Sequence, residues 1–128
     1  MRALLDTSAL LWWLGEPARF ERSLLAELKD EESEVFFSQV SLLEIQIKVG
    51  LAKLRLDFPV ERLPALATRS GLTALPLSNE AIFTLPKLPE VHRDPFDRLL
   101  ICEAIQLGVP LVSPDSMIHR YPVRVLWN

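Results

Sequence analysis

Four acidic residues, far apart in the sequence, have the side chains needed for metal-assisted phosphate chemistry. They are Asp6, Glu44, Asp97 and Asp115. Carboxylates gathered within a few ångströms raise one another's pKa unless a cation neutralises them, so a shared site predicts a metal ion. Oxygen ligands without a Cys or His set favour Mg²⁺ or Mn²⁺ over zinc. Such an ion lowers the pKa of a bound water and promotes hydrolysis of phosphodiester bonds.

Each acid taken singly also has a purely structural interpretation. Asp6 and Asp94 can cap helices, and Asp115 can hold a turn. Ser41 and Glu44 have the spacing of a capping box, in which the two side chains satisfy the first turn of a helix. The functional hypothesis therefore depends on where the fold brings these acids together.

The elements that must position the acids are short apolar strands alternating with helices. Strands are expected at residues 2–5, 34–38, 72–75, 111–113 and 123–126. Helices are expected at about 9–14, 20–28, 42–50, 60–70, 78–85 and 95–107. This alternation is typical of a parallel sheet covered on both faces. We expect an α/β fold, a three-layer α/β/α sandwich around a mostly parallel sheet of four to five short strands, in a single domain of residues 1–128.

One edge of that sheet should collect the four acids. Ligands of open α/β sheets bind where strands end and helices begin. Asp6 follows the first strand and Asp115 follows a later one. Glu44 and Asp97 are each expected in the first turn of a helix. All four side chains should therefore lie at the same edge.

Composition limits the other classes of function. The net charge of −3 provides no general attraction for nucleic acid, so any basic surface must be local. The candidate cations are Lys48, Lys53, Arg55, Arg93 and Arg98. Patterns for nucleotide cofactors, such as Walker A or GxGxxG, are missing from the sequence. No catalytic triad built on serine or cysteine competes with the acids.

Cysteine, histidine and hydropathy give three further expectations. The single Cys102 cannot form an internal disulfide and should be buried in a helix. His92 and His119 are too few and too separated for a zinc motif. A charged residue at position 2, an early acid and no apolar run near ~20 residues argue against a signal peptide or membrane span. We expect a cytoplasmic protein.

Four segments together carry a family resemblance. They are Leu4-Leu5-Asp6-Thr7-Ser8-Ala9, Ser41-Leu42-Leu43-Glu44-Ile45-Gln46-Ile47-Lys48, Arg93-Asp94-Pro95-Phe96-Asp97-Arg98-Leu99-Leu100 and Ser113-Pro114-Asp115. In this order and spacing the sequence resembles the PIN-domain family, and within it the VapC toxins of toxin-antitoxin pairs. The resemblance covers essentially the whole chain. It implies a PIN-like fold and a Mg²⁺- or Mn²⁺-dependent endoribonuclease, usually a homodimer, whose site is covered by a VapB-type antitoxin.

The resemblance also assigns roles to individual residues. The family's four acids match Asp6, Glu44, Asp97 and Asp115, of which Asp6 and Asp97 are the expected direct metal ligands. Glu44 and Asp115 would complete the site directly or through water. Expected polar neighbours are Thr7, Ser8, Asp94 and Ser113. Ser113 stands where many relatives carry threonine, and it keeps the hydroxyl.

Two other classes of function stay open on the sequence alone. A phosphatase or phosphoacceptor domain also places an acid after its first strand, but it usually has a second adjacent acid or a late lysine. Here Thr7 and Ser8 follow Asp6, and no lysine follows Lys87. A non-catalytic binding module, in which the acids only cap helices, predicts no metal affinity.

The adjacent Trp12 and Trp13 cannot both face inward on a helix, so the outward one is a candidate for a protein interface.

Overall fold

The protein is built on a parallel sheet, seen here in a computed structural model that describes residues 1–127. Asn128, the last residue of the expected domain, lies outside the described residues. Within that range the strands are β1 (Arg2–Leu5), β2 (Glu34–Ser38), β3 (Leu72–Leu75), β4 (Leu111–Val112) and β5 (Val125–Leu126). Their order across the sheet is β3-β2-β1-β4-β5, and every neighbouring pair is parallel. The prediction of a parallel α/β sheet is confirmed.

Six α-helices connect and cover these strands within residues 1–127. They are α1 (Thr7–Gly15), α2 (Arg22–Leu28), α3 (Gln39–Gly50), α4 (Leu63–Arg69), α5 (Asn79–Thr84) and α6 (Pro95–Leu107). Short 3₁₀ turns occupy Pro17–Arg19, Val60–Arg62, Leu85–Lys87 and Ser116–Arg120. Among these described residues, no helix is both long and apolar enough to cross a membrane.

Two apolar cores lie on opposite faces of the sheet, as the three-layer prediction requires. Successive strand side chains point to opposite faces. In β1, Leu5 therefore packs into a core with α1, α2 and α4, whereas Leu4 packs against α5 and α6. Cys102 lies fully buried in the second core, as expected from its apolar surroundings. Strands covered on both faces explain why the sequence shows continuous apolar runs.

The start of α3 corrects one prediction. The expected capping box of Ser41 and Glu44 is wrong, because the N-cap is Ser38, whose hydroxyl accepts the Val40 N–H at 2.9 Å. Helix α3 therefore begins directly after β2 with no intervening loop. Ser41 lies inside the helix, and Glu44 belongs to its second turn, not its first. The polar residue at the end of the strand competes better for the cap, since it already has extended backbone angles.

Other boundaries differ from the predictions for local reasons. The last strand begins at Val125 and not at Val123, because the Val123 N–H donates to the Tyr121 carbonyl in a tight turn. The helix expected at 60–70 starts as a 3₁₀ turn and becomes α4 at Leu63. Pro64 then occupies the second helical position, where no N–H is needed.

One of the two tryptophans faces outward but is covered within the chain. Trp13 is buried, and its Nε1 donates to Ser70 Oγ at 3.0 Å. Trp12 lies 5.4 Å from Trp127 between ring centroids, and the Arg19 guanidinium lies 5.0 Å above its ring. These contacts account for Trp12 without an intermolecular interface, so its role at such an interface stays a prediction.

A buried carboxyl group connects α6 to the start of α3. Glu103 is 3% exposed, and its Oε1 accepts a hydrogen bond from the Ser38 hydroxyl. Its Oε2 has no hydrogen-bond partner among the described residues. Burial raises the pKa of Glu103 to about 7, against which the Ser38 hydrogen bond acts. Burial therefore disfavours the ionised form of Glu103 relative to its neutral form.

Candidate active site

A polar cleft of about 370 Å³ opens at the edge of the sheet where β1 and β4 end. Its acidic lining residues are Asp6, Glu44, Asp94, Asp97 and Asp115. Thr7, Ser8, Lys48 and Lys53 also line it. The structure thus brings together all four predicted acids and most of their predicted polar neighbours, whereas the fully buried Ser113 lies beneath the cleft.

Asp6 joins β1 to α1. Its backbone N–H donates to the Val112 carbonyl at 2.9 Å, and its Oδ1 accepts the Ala9 N–H at 2.8 Å as the cap of α1. The side chain is 4% exposed. Burial raises the pKa of Asp6 to about 6, with smaller contributions from the charges of Glu44 and Asp115, while Ser113 and the Ala9 N–H act in the opposite direction. The capping interpretation is correct for this residue, but it occupies only one of the two carboxylate oxygens.

Glu44 is held in place by two neighbours that satisfy different oxygens. The Thr7 hydroxyl donates to Oε1 at 2.6 Å and lies 2.9 Å from Ser41 Oγ. Lys48, one turn further along α3, forms an ion pair with Oε2. The hydrogen bond to Glu44 raises the pKa of Lys48. Glu44 is consequently a buried, oriented carboxylate with a single cation beside it.

Asp97 and Asp94 both belong to the start of α6. Asp94 is the cap, and its Oδ1 accepts the N–H groups of Phe96 at 2.8 Å and Asp97 at 3.3 Å, with Pro95 in the first helical position as predicted. Burial raises the pKa of Asp97 to about 7, followed by the charges of Asp94, Asp6 and Glu44. His92 acts in the opposite direction. Asp94 thus acts on the cleft through its charge as well as through the cap.

The charge of Asp94 can be separated from its capping role by substitution. Asp94→Asn keeps a good cap acceptor, so α6 should remain capped, whereas the pKa of Asp97 should fall from its raised value. Titration of the Asp97 carboxyl carbon by NMR, in protein freed of metal, measures this shift. Asp94→Ala is the control, because it also removes the cap and should cost about 1 kcal/mol of stability. An unchanged Asp97 pKa in Asp94→Asn would show that the two charges do not interact.

Asp115 lines the cleft from the turn that follows β4. It caps the 3₁₀ turn Ser116–Arg120, where its Oδ1 accepts the Met117 N–H at 2.9 Å. Its own N–H donates to Ser113 Oγ at 3.1 Å, which fixes the turn after β4. Its Oδ2 lies 2.8 Å from His92 Nε2. The predicted turn-holding role and a position in the cleft are both correct for Asp115.

His92 is the residue of this site that sequence reasoning missed. Its Nε2 lies 3.1 Å from Asp97 Oδ2 as well as beside Asp115, and the three residues form a group that could hold a metal ion. From the sequence, the two histidines were considered only as a pair of zinc ligands. His119 is exposed and lies outside the cleft. The signal available in the sequence was proximity, since His92 precedes the cap Asp94 by two residues.

The predicted basic residues differ in whether they line the cleft. Lys48 and Lys53 line the cleft, and Arg55 and Arg93 are exposed outside it. Arg98 is not a free basic group, because its guanidinium donates to the carbonyls of Pro89 at 2.8 Å and Leu85 at 3.2 Å. The local basic surface at the cleft is therefore smaller than the sequence predicted.

The donor set of the cleft fits a hard divalent cation. Carboxylates predominate, Lys48 neutralises one of them, and the pKa values of both Asp6 and Asp97 are raised. A bound cation would favour the ionised forms of these acids and offset their mutual repulsion. The ligand atoms of Asp97, Asp115 and His92 lie within 4.8 Å of one another, close enough to share an ion, and the predicted ligands Asp6 and Glu44 line the same cleft.

Comparisons with known proteins agree with this arrangement. The family model of the PIN domain matches residues 3–123. Ribonuclease VapC22 of Mycobacterium tuberculosis (strain ATCC 25618 / H37Rv) is 27% identical over 125 residues, an alignment that covers 93% of this chain and 92% of that protein.

Solved structures share the fold at low sequence identity. A VapBC2 structure from Rickettsia felis, bound to a DNA fragment from its promoter, has a TM-score of 0.74 at 19% identity and covers 100% of both chains. VapBC-1 from nontypeable Haemophilus influenzae has a TM-score of 0.66 at 13% identity, covering 98% of this chain and 97% of that one. Together with the acidic cleft at the end of its parallel sheet, the match over nearly all of its length shows that this chain belongs to the PIN-domain family.

Proposed function

We propose that this protein is a Mg²⁺- or Mn²⁺-dependent endoribonuclease, the toxin of a VapBC-type toxin-antitoxin pair that acts in the cytoplasm. The observation that carries the proposal is the convergence of Asp6, Glu44, Asp97 and Asp115 on one cleft. Neither Glu44 nor Asp97 is the N-cap of its helix, so capping alone does not explain why their carboxyl groups lie in the cleft. The ribonuclease named among the relatives supports the same activity.

The residues of the cleft divide the work between ion and substrate. Asp6 and Asp97 are the proposed direct ligands, because each keeps a carboxylate oxygen free of backbone hydrogen bonds and carries a raised pKa. Glu44 and Asp115 complete the site, directly or through water, in orientations that Thr7 and Met117 fix. When bound, a divalent ion would polarise the phosphate of the substrate and lower the pKa of a water molecule.

The substrate side of the cleft has its own cations and hydroxyl. Lys53 and Ser8 are exposed at the rim, where they can contact the phosphates of a single strand. Lys48 is paired with Glu44, so it contributes less free charge to RNA binding than Lys53 does. A phosphoacceptor domain usually has a late lysine as well, whereas no lysine follows Lys87 in this sequence.

Protein partners are part of the proposal. Leu43, Ile47 and Leu51 are exposed apolar side chains spaced four residues apart on or just after α3, so they form a stripe on one side of the helix. An apolar groove of about 500 Å³ adjoins this stripe. Exposed apolar surface of this kind favours contact with another protein. We assign it to a homodimer or to a VapB-type antitoxin, as the VapBC complexes among the structural neighbours suggest.

Cleavage of RNA by the purified chain tests the activity. We expect cleavage with Mg²⁺ or Mn²⁺ and none with EDTA. Asp6→Asn should cleave RNA at least about 100-fold more slowly. Loss of a group that only orients a metal ligand lowers activity by about 10- to 100-fold, and loss of a direct ligand should lower it at least as much. Asparagine is also a good N-cap, so α1 should stay folded in this variant. Gel analysis of a labelled RNA and circular dichroism of both proteins measure the two effects.

The alternatives predict different results in the same experiment. A phosphatase would release p-nitrophenol from p-nitrophenyl phosphate and leave RNA intact. A non-catalytic module would show neither reaction, and its melting temperature would not respond to Mg²⁺. If the wild-type protein cleaves no RNA with either metal, the proposed activity is wrong.

A further inference from the structure

His92 lies between two acids of the cleft without an assigned role. It is in the segment that precedes α6, and its side chain is 16% exposed. Its Nε2 lies 2.8 Å from Asp115 Oδ2 and 3.1 Å from Asp97 Oδ2. Those two carboxylates belong to different elements, one to α6 and one to the turn after β4. A single imidazole nitrogen therefore connects them.

The segment that carries His92 is held by buried contacts. The His92 N–H donates to Tyr121 Oη at 2.6 Å, and Tyr121 is only 4% exposed. Arg98 donates to the same hydroxyl at 3.3 Å and to the Pro89 carbonyl at 2.8 Å. The backbone at residue 92 is thus fixed from two directions. The position of the ring does not depend on the carboxylates alone.

The second ring nitrogen determines which nitrogen bears the proton. The Asp94 N–H donates to His92 Nδ1 at 3.2 Å, so Nδ1 must offer a lone pair. In the neutral ring the proton then sits on Nε2, which faces Asp97 and Asp115. A protonated nitrogen donates hydrogen bonds and cannot coordinate a metal ion.

We propose that His92 is a positioning residue of the metal centre, which donates through Nε2–H to Asp115 beside Asp97 and is not itself a ligand. This inference rests on the proposed metal-dependent function. Met117 already holds the other oxygen of Asp115, so the His92 bond fixes the plane of that carboxylate. The Nε2–H group, which also lies 3.1 Å from Asp97 Oδ2, offsets repulsion between the two acids. Groups that orient metal ligands in this way raise metal affinity.

Mn²⁺ binding to three proteins tests the role of His92. We compare wild type, His92→Leu, which loses the donor, and His92→Gln, whose amide can donate from a similar position. EPR of free Mn²⁺ should show that His92→Leu binds the ion about 10- to 100-fold more weakly, and that His92→Gln recovers most of the loss. Urea unfolding in EDTA separates this effect from a loss of stability. If His92 had only a structural role, substitution would lower the stability of the metal-free protein, and His92→Gln and His92→Leu would bind Mn²⁺ equally.

Pulsed EPR of Mn²⁺ bound to the wild-type protein gives an independent test, with His92→Gln as its control. We expect no modulation from a directly coordinated nitrogen, and a strong nitrogen signal that disappears in His92→Gln would make His92 a ligand and overturn the proposal. The proposal would also be wrong if His92→Leu bound Mn²⁺ as tightly as the wild type, or if both variants lost the same affinity. Neither result would affect the proposed ribonuclease activity, provided that the wild type cleaves RNA. Failure of the wild type to bind Mn²⁺ and to cleave RNA would instead remove the proposed function, and this inference with it.

Discussion

Replacing Asp97 with asparagine should stabilise the metal-free protein at pH 8 while it removes most of the response to Mg²⁺. The pKa of Asp97 rises from 3.8 to about 7, roughly three units. At about 1.4 kcal/mol per unit, the ionised side chain costs the folded state up to about 4 kcal/mol. The uncharged amide in Asp97→Asn should avoid that cost. The stability difference between Asp97→Asn and the wild type is therefore expected to be large without metal and to narrow when Mg²⁺ is added.

The sign of the pH effect follows from the raised pKa of Asp97. A folded-state pKa above the unfolded value gives stability that is full below about pH 4 and is lost as pH rises through about 7. The two proteins should thus be similar near pH 4 and diverge up to pH 8. Urea unfolding in EDTA measures the difference. A saturating Mg²⁺ concentration of about 100 times the dissociation constant should restore about 2.7 kcal/mol to the wild type and much less to the variant.

Equal effects of Mg²⁺ on both proteins would place the ion elsewhere. A variant less stable than the wild type in EDTA at pH 8 would mean that Asp97 is not repelled by its neighbours. Asp57→Asn is a matched control, because Asp57 is an exposed acid outside the cleft. Its substitution should change stability by no more than about 0.5 kcal/mol at any pH.

Glu103 should give the second large pH effect, and this one is independent of metal. Its pKa rises from 4.5 to about 7 because of burial. The stability contributed by the neutral form is full below about pH 4.5 and is lost as pH rises through about 7. Glu103→Gln keeps an oxygen that can accept the Ser38 hydrogen bond and cannot ionise. At pH 9 it should therefore be more stable than the wild type by up to about 3 kcal/mol.

Thermal or urea unfolding from pH 5 to pH 9 measures the divergence of Glu103→Gln from the wild type. Mg²⁺ should shift both proteins equally, which distinguishes this effect from that of Asp97. Glu80→Gln is the control, since Glu80 is an exposed acid that lines the same small cavity beside Glu103. A pH-independent difference between Glu103→Gln and the wild type would show that Glu103 is already ionised in the folded protein, or accommodated by water.

The strands and the start of α6 could be predicted from local patterns. The strand before Asp6 can be predicted without knowledge of tertiary contacts, because a strand that is buried on both faces consists of a continuous run of apolar residues. Asp94 followed by Pro95 has one favourable backbone conformation, and the helix begins there. The convergence of the four acids also followed from their places after strands or near helix starts, which share one edge of a parallel sheet.

Other features depended on competition between nearby residues or on contacts far along the chain. Ser38 and Ser41 are equally good caps by type, and the end of β2 decides between them. His92 reaches the cleft because Tyr121, 29 residues away, holds its backbone. Arg98 looked like a surface cation because its carbonyl partners belong to irregular segments, whose paths have no periodic signal.

The junction between β1 and α1 has a mechanical consequence. Asp6 is hydrogen-bonded to β4 through its N–H and begins the helix with its side chain, so no flexible residue separates it from the core. Glu44 is similarly tied to the sheet through the short step from β2 to α3. His92 and Asp115, in contrast, belong to irregular segments. The cleft therefore combines two acids fixed by strand–helix junctions with a histidine and an acid whose backbone N–H groups are fixed by the hydroxyls of Tyr121 and Ser113.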